Sequence, residues 1–156
     1  MRRRLDVATL AGAQIACFLL LTYLESNFFL IHLYQSILYY AILVMLFYKE
    51  DRWAYMIGML ASVAWLGLAY MAGILGSAVR QLSELRTVSL TPNLVGMAAL
   101  TTALLAVLMI VFCGRHWMKE YAGLGKTRST FLVSLGIVVA YYGTLLRFFW
   151  DMIPNG

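Results

Sequence analysis

The chain reads as an all-α integral membrane protein, a single domain built as a bundle of five transmembrane helices. Three observations predict this. Hydrophobic residues fill 63% of the 156 positions and charged ones 12%, against about 25% charged and 45–50% apolar in a soluble domain. So short a chain cannot hide that much apolar surface in one aqueous core. Five apolar runs approach the roughly 20 residues that cross a hydrocarbon layer about 30 Å thick. Basic residues cluster in the segments between alternate runs, the pattern that orients membrane proteins rather than one that binds nucleic acid.

The first run, residues 7–24, follows Arg2, Arg3, Arg4 and Asp6 and is interrupted by Gln14. It is the weakest of the five, and a four-span variant with this segment on the membrane surface is the alternative. "RRR", "AGA" and "QIAC" each match part of a cleaved or lipid-modified signal. The apolar stretch before "AGA" is too short and another apolar run follows, so an uncleaved span accounts for the same residues with less strain. The second run covers 28–48, after a tight "ESN" turn, and the third covers 54–75. A weakly amphipathic connector, "GSAVRQLSELRTVSLTPN", leads to the fourth run at 94–113. The fifth is 131–150. Both prolines, Pro92 and Pro154, lie outside the runs.

Orientation follows from Lys and Arg. Arg2, Arg3, Arg4, Lys49, Arg52, Arg115, Lys119, Lys126 and Arg128 share one side of a five-span chain; Arg80, Arg86 and Arg147 share the other. The nine-residue side is expected to be cytoplasmic, which puts the N-terminus inside and the C-terminus outside. In a bacterium the membrane would be the plasma (inner) membrane.

Lipid tails are as apolar as leucine, so helix association relies on small residues and on polar groups. Gly12 on the first span, Gly58, Ala69 and Gly73 on the third, and Gly136 and Gly143 on the fifth are the packing candidates. Gly136, Ala140, Gly143 and Thr144 fall within an arc of about 100° that also holds Arg147 and Asp151. On the second span "LIHLYQSILYY" places His32, Gln35, Ser36 and Tyr39 within about 100°. Ionisable groups at that depth are costly unless they pair or meet water. An outer polar cluster of Glu25, His32, Gln35, Tyr39, Arg147 and Asp151 is therefore expected, with Arg147 packed in one layer with His32 and Gln35.

The motifs that would signal chemistry fail. "GLGKT" at 123–127 matches only the tail of a phosphate-binding loop, because Glu120 stands where another glycine is required. His116 and Glu120 are four apart but lack further ligands, and the two histidines are too far apart along the chain's topology to share a haem. Cys17 and Cys113 read as buried small hydrophobes. No cofactor, metal or nucleic acid is expected. The expected function is that of a non-catalytic accessory or scaffold subunit of a larger membrane assembly, with the bilayer and other membrane subunits, or itself, as partners. The third-span face through Ala69 and Gly73 is the expected contact. The alternatives are an oligomeric small-solute transporter or channel component, and a membrane-embedded quinone- or lipid-handling enzyme using the outer cluster.

Overall fold

The computed structural model describes residues 2–76, 79–80, 94–121, 123 and 127–149. Among the described residues it is all-helical, with five helices long and apolar enough to cross a membrane. They are α1 (Arg2–Leu24), α2 (Phe29–Phe47), α3 (Asp51–Met71), α4 (Leu94–Glu120) and α5 (Thr127–Phe149), with a 3-10 turn at Ser26–Phe28 between α1 and α2. The connector after residue 80, Lys126 and Asp151 lie outside the described residues.

Short turns make α1–α2 and α2–α3 antiparallel neighbours. The α2–α3 turn closes through Lys49 at φ 64, with the Glu50 N–H donating to Met45 O at 2.8 Å. This satisfies one of the carbonyls that every helix C-terminus leaves over. α3 stops four residues before the sequence expectation. Gly73 takes φ +69, a left-handed conformation that a residue without Cβ enters freely and that ends a helix. α4 instead runs two turns past residue 113, because this end buries His116 and Trp117. At 27 residues it is about 40 Å long, more than an apolar layer of about 30 Å requires.

α1, α2, α3 and α4 close into a ring, each packed on two of the others. α1 is thus a full member of the bundle rather than an appendage. Its inward face is Val7, Ala11, Gln14, Phe18 and Leu21. Phe18 sets its ring edge-on to Trp65 of α3 at 5.9 Å between centroids and tilted to Tyr39 of α2 at 5.7 Å. α5 stands outside this ring. It packs mainly along α3 and meets α2 at one joint, where Tyr34 and Tyr141 stack at 4.4 Å. There each tyrosine hydroxyl donates to the other residue's backbone carbonyl.

Candidate functional site: polar layers and an outward helix face

Polar side chains gather at three levels. At the end carrying the α1–α2 turn, Glu25 Oε2 accepts from His32 Nε2 at 2.9 Å, with the two side chains 30% and 12% exposed. The turn folds the chain back so that residues seven apart meet. Gln35 is half-buried one turn on. Ser36 is buried, with its hydroxyl on Leu33 O at 2.7 Å.

The second level is central. Gln14, Tyr39, Ser62 and Thr102, one from each helix of the ring, are 1%, 0%, 0% and 0% exposed. They lie eight to ten residues from Leu24, Phe29, Met71 and Leu94, about 12–15 Å along each axis at 1.5 Å per residue. Gln14 Nε2 donates to Thr102 O at 3.3 Å. The Tyr39 and Ser62 hydroxyls meet at 3.4 Å, and the Gln14 amide lies beside the Tyr39 hydroxyl. Thr102 Oγ1 donates to Ala98 O at 2.8 Å.

The third level is at the basic end, where Lys49, Arg115, Lys119 and Arg128 are exposed. His116 is stacked on Tyr55 with 5.4 Å between centroids, and neither of its ring nitrogens has a hydrogen-bond partner among the described residues. Asp51, one turn before Tyr55 on α3, is 4% exposed.

Of the six polar-cluster residues expected from the sequence, the structure brings Glu25 and His32 together. It puts Gln35 beside them on α2 and sends Tyr39 to the central layer. Asp151 lies outside the described residues. Arg147 is exposed, so the expected single layer of Arg147 with His32 and Gln35 is corrected. The reason is geometric. α5 reaches α2 through Tyr34, which points nearly opposite the His32–Gln35 stripe, so α5 stands on the far side of α2 from that stripe.

The packing candidates divide as well. Gly58 and Ala69 are buried. A Cβ on Gly58 would meet Cys113 Sγ at 3.1 Å, Ile42 Cδ1 at 3.6 Å and Met109 Sδ at 3.7 Å, so α2, α3 and α4 converge on this glycine. Ala69 belongs to the chain's own core, and Gly73 lies past the helix end; the expected outward contact through Ala69 and Gly73 is therefore corrected. A Cβ on Gly12, Gly136 or Gly143 would meet nothing within 4 Å. α5 packs through Thr130, Ser134, Val138, Tyr142 and Leu145, with the Tyr142 hydroxyl on Ala61 O at 3.3 Å. Gly136, Ala140, Gly143 and Arg147 are exposed and lie about 180° around the helix from that packed face.

Sequence reading missed Gln14, Ser62 and Thr102 as one layer. Gln14 interrupts the first apolar run, while Ser62 and Thr102 lie within apolar runs with no motif to mark them. Their spacing from the helix ends is the signal that aligns them, and it needs correct boundaries. No family model, curated protein or solved structure matches the chain.

Proposed function

We propose that the chain is a non-catalytic subunit of a larger membrane assembly, crossing the bilayer five times with its N-terminus inside. The nine-to-three asymmetry of basic residues supports the orientation. The observation that carries the function is the outward face of α5, where a stripe of small residues and the Arg147 cation lie together on the side away from the chain's own bundle. Small residues allow close helix approach in lipid, and a guanidinium at membrane depth is costly without a polar partner. The occupant that fits is a transmembrane helix of a different chain with an acidic residue near its outer end. Two copies of α5 packed face to face in one membrane would run parallel and set two Arg147 side chains at one depth, and like charges repel most strongly at low dielectric. The central layer favours the same reading, because its four residues are 0–1% exposed and tie helices together.

The test is purification from native membranes in mild detergent with mass spectrometry of what remains bound. A defined partner is expected, with recovery reduced several-fold by Gly143→Leu and by Arg147→Ala and unchanged by Leu20→Ile, a volume-conserving change. A chain that purifies alone under several mild detergents overturns the proposal. Solute flux into liposomes then becomes the next assay, for the transporter reading. The half-buried Glu25–His32 pair favours a second reading, a quinone- or lipid-handling site at that end. Turnover of a lipid-soluble substrate by the isolated chain would support it.

A further inference from the structure

We propose that the central layer is a binding site for one internal water molecule, held between Gln14 and the Tyr39–Ser62 hydroxyl pair. A glutamine amide offers two N–H donors and a carbonyl acceptor. Here one N–H is on Thr102 O, while Oε1 is buried and has no hydrogen-bond partner among the described residues. Reversing the amide does not help, since it would set two acceptor oxygens against each other at 3.3 Å. The Tyr39 hydroxyl lies beside the amide, yet it makes no hydrogen bond to Oε1. An acceptor left unmade in so apolar a core is strongly unfavourable.

A bridging donor resolves this, and it has the two to four polar partners that a buried water takes. Ser62 donates to the Tyr39 oxygen, Tyr39 donates to the water, and the water donates to Gln14 Oε1. Size sets the ligand class. Every polar residue of the layer is 0–1% exposed, so a group extending from lipid has no way in, whereas a single water can be enclosed as the helices close.

The test pairs a structure of the full chain, at a resolution that shows ordered water, with melting of variants in one detergent. The expected result is a peak within hydrogen-bond distance of both Gln14 Oε1 and the Tyr39 hydroxyl. Gln14→Leu should remove the peak and lower Tm by about 3 °C or more, and Ser62→Ala should lower it less. Thr9→Val, at an exposed hydroxyl bonded within its own helix, should leave Tm unchanged. The sign is diagnostic, because removing a satisfied polar group destabilises whereas removing an unsatisfied one stabilises. A well-ordered Gln14 with no peak beside it, or a Gln14→Leu variant that melts higher than wild type, overturns the proposal. If Gln14→Leu does not fold, the wild-type map alone decides.

Discussion

Two glycines of the same chemistry have opposite surroundings. Gly58 sits where Cys113, Ile42 and Met109 converge, and Gly143 faces outward with nothing near it. Gly58→Val should therefore cost the bundle about 1–3 kcal/mol by overpacking, whereas Gly143→Val should leave the chain's own stability within about 0.5 kcal/mol. Thermal unfolding in one detergent compares them, and equal losses would contradict these assignments. Glu25 and His32 supply a second test at this scale. A double-mutant cycle through Glu25→Ala and His32→Ala should return a coupling of about 0.5–1.5 kcal/mol, and a value indistinguishable from zero would show that the 2.9 Å contact contributes nothing. Sequence periodicity places Tyr39 on the inward side of α2. It could not say which glycines are crowded, because in a lipid-facing chain the residues turned to lipid are as apolar as those turned to the core. Arg147 shows the same limit: its helix face is legible, but the side to which that face turns depends on where α5 docks.

At the level of elements, five helices are readable because each apolar run is long enough to cross a membrane, a length criterion that applies to each segment alone. Their ends are less readable. Gly73 stops α3 while apolar residues continue through Leu75, so backbone conformation overrides the hydrophobic pattern. α4 continues past Cys113 because Tyr55 of α3 stacks on His116, a long-range contact with no local signature. If the left-handed turn at Gly73 ends α3, Gly73→Ala should destabilise by about 1–2 kcal/mol, the cost of that conformation for an L-residue. Lys49 adopts φ 64 with a Cβ in place, so Lys49→Gly should be neutral or stabilising by up to about 1 kcal/mol. A Lys49→Gly variant that melts well below wild type would contradict this account of the α2–α3 turn.

The described residues form a closed ring of four helices with a fifth docked on its side, and that asymmetry directs attention to α5. With Cys17 and Cys113 replaced by alanine, a cysteine at position 126 should be shielded from a membrane-impermeant thiol reagent in intact cells and one at position 155 should react. The reverse would overturn the orientation read from the basic residues. The docking claim itself is tested most directly inside the membrane, before any detergent is added. A photo-crosslinking residue is placed at Leu132 or Val133, which flank the small-residue stripe of α5, and for comparison at Leu20 of α1; all three positions are exposed. The account predicts one protein adduct of defined mass from Leu132 and Val133, only lipid adducts from Leu20, and loss of the protein adduct when Gly143→Leu is added. Lipid adducts alone at every position, the same protein adducts from Leu20, an adduct with a second copy of this chain, or an adduct that survives Gly143→Leu would contradict it.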